Sequence, residues 1–180
     1  TLRLLTLDQL GRASTLICAL ELERQQNVEK LGPWPFEIGL WVGQGATANR
    51  MGKKGDRDRN SARQRTLDYQ NGVTSESPIP LDDCPWCGTS FKKTSKNKIS
   101  KKTSFELSPN SDNPTDLRIT CNNRKKRPDG KPECVFRRDQ ALPIVTVDDP
   151  IYRRLPCFII ATVDKFANLP WVGETAGLFG

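Results

Sequence analysis

Four of the six cysteines in this 180-residue chain, Cys84, Cys87, Cys121 and Cys134, fall in its most polar stretch. From Cys84 to Gln140, Lys, Ser, Asn and Pro dominate and large apolar residues are rare. Such a segment cannot cover its ordering entropy by apolar burial alone. Something else must hold it, and the cysteines are the candidates.

Cys84-Pro85-Trp86-Cys87-Gly88 forms a C-x-x-C-G knuckle. Two intervening residues let both sulfurs reach one ion, and Gly88 permits a positive φ where the chain wraps it. Leu117-Arg118-Ile119-Thr120 alternates like a strand delivering Cys121, in the manner of a zinc ribbon. Twelve residues separate Cys121 from Cys134, more than the roughly two to four usual between paired ligands. Pro128-Asp129-Gly130 is a turn sequence able to fold that excess out as a hairpin. The chain has no His, so a closed site is all-cysteine, or three cysteines and a carboxylate. With four cysteine ligands no coordination position stays open, which makes the expected Zn²⁺ structural and not catalytic. Such an ion supplies on the order of 10 kcal/mol of folding free energy.

Three rival readings compete. C-P-x-C is similar to the glutaredoxin motif, but that motif follows a buried strand and opens a helix. Here Pro78–Asp83 precedes it and Gly88-Thr89-Ser90 follows. A disulfide pair does not suit a reducing compartment, and four unconnected thiols leave residues 84–140 without a source of order. Cys18 and Cys157 sit in apolar runs and are expected to pack as small hydrophobes. That division of the cysteines points to a cytoplasmic metal site.

Elsewhere the chain reads as α/β. Leu2–Leu5 is expected to be a short buried strand, followed by a helix with Thr6-Leu7-Asp8-Gln9 as its capping box. Leu10, Ala13, Ile17 and Leu20 form the apolar face, and Leu31-Gly32-Pro33 the stop. Phe36–Val42 is a second apolar run of strand length, ending in Gly43-Gln44-Gly45. Residues 50–72 fit either a surface helix ended by Asn71-Gly72 or a solvated loop. Leu142–Val147 reads as a strand, Pro150 as a break, Phe158–Thr162 as a buried strand, and Val163–Asn168 as a helix start or a turn. No repeat is present. No stretch is long and apolar enough for a membrane span, and no signal-peptide pattern is found. A start at Thr1 and an apolar end at Gly180 suggest an excised piece of a longer protein.

Lys and Arg number 28 against 21 Asp and Glu, for a net charge of +7 and a pI near 9.2. That balance favours polyanionic partners. The cations cluster within the cysteine segment: Lys92, Lys93, Lys96, Lys98, Lys101 and Lys102, then Arg124, Lys125, Lys126 and Arg127. They fit either a solvated surface or a row of phosphate contacts.

The flanks carry a resemblance. The order of Thr6 with its following helix, Gly39-Leu40-Trp41-Val42-Gly43, and Phe158-Ile159-Ile160-Ala161-Thr162-Val163-Asp164-Lys165-Phe166 resembles the first RecA-like domain of superfamily-two helicases. The matching region lies between the phosphate-binding loop and the acidic Mg²⁺-binding strand. More narrowly, Thr1–Glu21 and Phe158–Gly173 look like the helicase component of DISARM-type phage-defence systems, which carry a cysteine-rich insertion here. The resemblance implies an α/β fold made of a partial RecA-like parallel sheet with helices, interrupted by a small zinc-ribbon-like β insertion. The corresponding divisions are residues 1–77, 78–140 and 141–180. It implies that Thr6, Gln9 and Arg12, the glycine turn Gly43 and Gly45, and Thr162, Asp164 and Lys165 contact a nucleic-acid backbone. Helix N-termini and hydroxyls suit that role, although Thr6 also reads simply as a helix cap. The insertion's Lys101, Lys102, Arg124, Lys125 and Lys126 would add phosphate contacts. There is no G-x-x-x-x-G-K-[ST] loop and no D-E-x-x segment after a strand. ATP and Mg²⁺ are therefore expected only in a longer parent chain, and this piece alone is expected to be inactive. The alternative is a zinc-ribbon module that docks a protein partner of a defence complex through Trp34, Trp41, Trp86 or Trp171.

Overall fold

The first 26 residues are almost entirely one helix, α1 (Leu2–Gln26). The computed structural model describes residues 2–43, 45–92, 104–130, 132–168, 173 and 177, with backbone alone for 2–7 and 168. Leu2–Leu5 is therefore not a strand: Leu and Arg are strong helix formers, no β-branched residue opposes them, and Thr6 lies inside the helix instead of capping it. Leu10, Ser14, Ile17, Cys18, Glu21 and Arg24 form the buried stripe. It is more polar than the expected apolar face, because Glu21 and Arg24 pair within it. Arg24 donates from Nε to Glu21 Oε2 at 2.7 Å and from its second terminal nitrogen to Oε1 at 2.8 Å. The Phe36 N–H donates to Glu21 Oε2 at 2.8 Å, and Arg24 donates to the Gly32 carbonyl at 3.0 Å. This pair ties the helix to the segment leading into the sheet. The helix breaks at Asn27, and a single turn, α2 (Val28–Leu31), ends at Gly32 with φ +84°.

A parallel three-stranded sheet has the order β4-β1-β5, from β1 (Ile38–Trp41), β4 (Ile144–Val145) and β5 (Phe158–Ala161). β1 is buried along its whole length and pairs with both neighbours, Ile38 opposite Ile144 and Phe158, and Trp41 opposite Ala161. Gly39 is closely packed there: a Cβ would lie 3.2 Å from Pro156 Cγ and 3.4 Å from Ile159 Cγ1, so those side chains would have to yield. Three further expectations are corrected. Pro150 does not break the chain but sits in the first turn of α4 (Asp148–Arg154), where a missing N–H leaves no helical bond unmade. Among the described residues β5 is an outer strand of the sheet, with Phe158 48% exposed and the rest half-buried. Apolar sequence alone does not distinguish an outer strand from a central one. Cys157 beside it is exposed and does not pack as a small hydrophobe, whereas Cys18 is fully buried as expected. α5 (Val163–Asn168) follows β5.

Residues 50–72 divide between the two readings: a loop to Asn60, then α3 (Ala62–Asn71), capped by Ser61 and ended by Gly72 at φ +75°. Beyond it, β2 (Phe105–Ser108), which sequence patterning did not reveal, pairs antiparallel with β3 (Asp116–Ile119). Tyr69 of α3, Phe91 and Phe105 stack edge to face, with Phe105 centroids 5.4 and 5.6 Å from the other two. These rings join Leu10, Ile38, Leu40 and the cysteines in one apolar cluster. The polar segment is thus held by aromatic burial as well as by its cysteines. A charged link adds to this: Arg154 of α4 pairs with both Glu37 and Asp116, and Arg153 donates to Asp116 at 2.8 Å. Among the described residues, no helix is long and apolar enough to cross a membrane.

Candidate metal centre and basic surface

The knuckle forms because a short ladder closes it. Asp83 bridges Ser90, the Cys84 N–H donates to the Thr89 carbonyl at 2.9 Å, and the Gly88 N–H returns to the Cys84 carbonyl at 2.8 Å. Gly88 has φ +69°, as its position after the second cysteine requires. α1 packs on this turn, with the Thr15 hydroxyl donating to the Pro85 carbonyl at 2.8 Å. β3 delivers Cys121, whose N–H donates to the Phe136 carbonyl at 2.6 Å, and Phe136 stacks edge to face on Trp86 at 5.7 Å. Cys134 follows the expected turn, closed by the Gly130 N–H to the Arg127 carbonyl at 2.9 Å.

These elements bring the four sulfurs of Cys84, Cys87, Cys121 and Cys134 within 4.8 Å of one another. Cys84 Sγ lies 4.0 Å from Cys134 Sγ, and Cys87 Sγ 3.5 Å from Cys121 Sγ. Sulfurs about 2.3 Å from a tetrahedral ion would stand about 3.8 Å apart, so the cluster has the size of a four-thiolate metal site. All six cysteines are free. Hydrogen bonds from Cys121 and then Cys134 lower the Cys84 thiol to about 4. Hydrogen bonding to Cys121 and then to Cys84 raises Cys134, and burial first and then the nearby Cys84 push Cys18 up to about 12. Cys84 therefore carries charge readily, while Cys121 and Cys134 resist adding more. A divalent cation resolves that crowding by drawing the protons off. Cys18 stays a neutral thiol beside the cluster.

Asn123 is a residue that patterning missed. It is buried, its N–H donates to Cys121 Sγ at 3.3 Å, and its Nδ2 reaches Cys87 Sγ at 3.7 Å and Glu133 Oε2 at 3.0 Å. Its Oδ1 accepts from the Lys125 N–H at 2.8 Å. Asn two residues after a cysteine was the available clue, because short amides commonly bond neighbouring backbone.

The residues expected to contact nucleic acid separate into three places. Gln9 and Arg12 lie exposed on α1, Arg12 bonding Asp8 at 3.1 Å; with Thr6 they belong to a continuous helix and not to a strand-to-helix turn. The side chain of Thr6 lies outside the described residues, as do Lys93, Lys96, Lys98, Lys101, Lys102 and Trp171. Gly43 and Asp164 do meet, at the C-terminal ends of β1 and β5: a Cβ on Gly43 would stand 3.6 Å from Asp164 Oδ2. Gly45 is exposed nearby in sequence. Lys165 directs its ammonium inward, to Asp148 Oδ2 at 2.5 Å and Asn49 Oδ1 at 3.0 Å, and over the Trp41 ring at 5.9 Å. It joins α4 to α5 and spends its charge there. Beside this ion pair the Trp41 indole faces the Asp148 carboxylate, and Thr162 Oγ1 has no hydrogen-bond partner among the described residues. Arg124, Lys125 and Lys126 are exposed on the hairpin beyond Cys121.

No family model matches the chain. Over its whole length it is similar, at 33% identity across 183 residues, to DISARM protein DrmA of Bacillus paralicheniformis (strain ATCC 9945a / NCIMB 11709 / CD-2), of which it spans 14%.

Proposed function

We propose that this chain is a metal-stabilised, nucleic-acid-contacting region of a DISARM-type phage-defence protein, an ATP-dependent DNA helicase or translocase. The observation that carries this reading is the match to a DISARM protein along all of the chain. In it, residues 1–77 and 141–180 form part of a RecA-like domain, and 78–140 are its insertion. The cation is Zn²⁺, favoured by an all-thiolate donor set of tetrahedral size. The ion fastens the knuckle to the end of β3 and so holds the basic hairpin in place. Gly43, Gly45, Thr162 and Asp164, at and beyond the C-terminal ends of parallel strands, form a rim suited to a nucleic-acid backbone, with Lys165 bracing it from inside. ATP and Mg²⁺ act elsewhere in the longer protein.

The experiment is phage challenge of cells carrying the complete defence system. Replacing Cys84 and Cys121 by Ser together in the defence protein should abolish protection while protein made without phage challenge stays detectable. Full protection by that variant would refute the reading. A second reading, docking of a protein partner, is favoured by Trp34, which is 82% exposed beside exposed Leu31 and Val28. Reversing charge at Lys101, Lys102, Lys125 and Lys126 separates the two: lost DNA affinity supports the first, and retained DNA affinity with a lost partner supports the second.

A further inference from the structure

The twelve residues between Cys121 and Cys134 contribute almost nothing to the core. Residues 124–130, 132 and 133 are exposed, and among the described residues of the segment Asn123 alone is buried. The segment nevertheless has defined form. Lys126 bridges Pro132 in antiparallel fashion, the Glu133 N–H donates to the Lys125 carbonyl at 3.1 Å, and Gly130 closes the tip at φ +78°. It is a finger fastened at both ends to the sulfur cluster, and Asn123 links two of those sulfurs to the backbone of Lys125.

One arm carries four consecutive cations, Arg124, Lys125, Lys126 and Arg127, none of them buried. Glu133 on the opposite arm is bonded to Asn123. At the base of the finger lies an open groove of about 630 Å³, lined by Cys87, Thr89, Asn122, Arg124, Lys125 and Glu133 among others. Ordering a finger that buries nothing costs conformational entropy, and four adjacent like charges add repulsion. An anionic ligand of regular charge spacing offsets both. The guanidinium, ammonium, hydroxyl and amide donors at the groove suit phosphate oxygens.

We infer that this finger is the element of the chain that lies along a DNA backbone, one phosphate seated in the groove at its base and the next beside Lys126 and Arg127. The inference rests on the nucleic-acid reading above and names the surface that performs it. It also chooses between the two lysine-rich clusters, since this one is anchored to the sulfurs.

The test uses the zinc-loaded chain and a fluorescent 20-base oligothymidine, titrated between 50 and 200 mM salt. One variant carries Arg124→Gln, Lys125→Gln, Lys126→Gln and Arg127→Gln. A control of equal charge change carries Lys30→Gln, Lys53→Gln, Arg57→Gln and Arg59→Gln, all at exposed positions. Zinc content and denaturation midpoint verify that both remain folded. Each single-strand phosphate contact contributes about 0.7 to the slope of log affinity against log salt, so losing the two seated phosphates flattens it by about 1.4 and removes about sevenfold of the affinity change over that range. The finger variant should show this and the control should lose under about threefold at 50 mM salt. Equal loss in both variants, or unchanged binding by the finger variant, overturns the finger and leaves the nucleic-acid reading standing; in the latter case an acidic protein partner becomes the ligand. No DNA binding by the unaltered chain overturns both.

Discussion

Replacing Phe105 by Ala tests whether the cysteine-bearing segment is held by its metal alone. Phe105 is 1% exposed, stacks edge to face against Tyr69 and Phe91, and joins β2 to α3. Truncating a fully buried Phe costs about 3–5 kcal/mol through lost transfer energy and the cavity left behind. Within that, the two ring contacts contribute about 0.5–1.5 kcal/mol each. Domains of this kind have about 5–15 kcal/mol in all, so the variant should sit near the edge of unfolding. Phe105→Leu, which keeps most of the volume, provides a milder point at about 1–3 kcal/mol from the lost ring contacts. Urea denaturation of zinc-loaded protein, followed by tryptophan fluorescence, reads both as midpoint shifts at constant slope. A cost below about 1 kcal/mol for Phe105→Ala would mean that the aromatic cluster is incidental and would refute the reasoning.

Tyr69→Phe should cost about 1–3 kcal/mol in the same assay, because the buried phenol donates to the Phe91 carbonyl at 2.7 Å and its loss leaves that carbonyl unpaired. Gly52→Ala should destabilise by more than about 1 kcal/mol: its φ is +73°, and a Cβ would stand 2.5 Å from that of the helix cap Ser61. Glu21 sets an acid limb. Burial pushes its carboxyl up, but hydrogen bonds from Arg24, Gln25 and the Phe36 N–H outweigh it and hold it below its usual value. The folded state therefore binds that proton less readily than the unfolded one. Its contribution is present above about pH 4.5, is lost as pH falls through the lowered value, and should vanish from the acid-denaturation profile of Glu21→Gln.

The sequence revealed those parts of the fold that rest on local chemistry. Gly72 ends α3, Pro128-Asp129-Gly130 makes the turn, Leu117–Thr120 contains a strand, and the four cysteines meet. Each of these depends on residues adjacent in the chain or on a ligand preference that needs no fold. The misreadings depend on neighbours. Leu2–Leu5 is apolar enough for a strand, and only its continuity with Asp8–Gln26 makes it the first turn of a longer helix. Phe158–Ala161 has the composition of a central strand and lies on the outside of the described sheet. Pro150 reads as a break unless the helix is known to start two residues earlier. The direction of the Lys165 ammonium is likewise not legible from its own segment: Asp148, Asn49 and Trp41, none of them its neighbours in the chain, turn it inward. The segment from Cys84 to Gln140 seemed too polar to order itself. Phe91, Phe105 and Phe136 are only three residues, but all of them are buried together.

The central claim is that four thiolates from two separated stretches of chain enclose a single ion. Metal analysis of the purified chain combined with X-ray absorption at the zinc edge measures this directly. The account predicts one zinc per chain with four sulfur neighbours at about 2.3 Å. A metal-free folded chain, or zinc surrounded by oxygen or nitrogen in place of any of the four sulfurs, would contradict it.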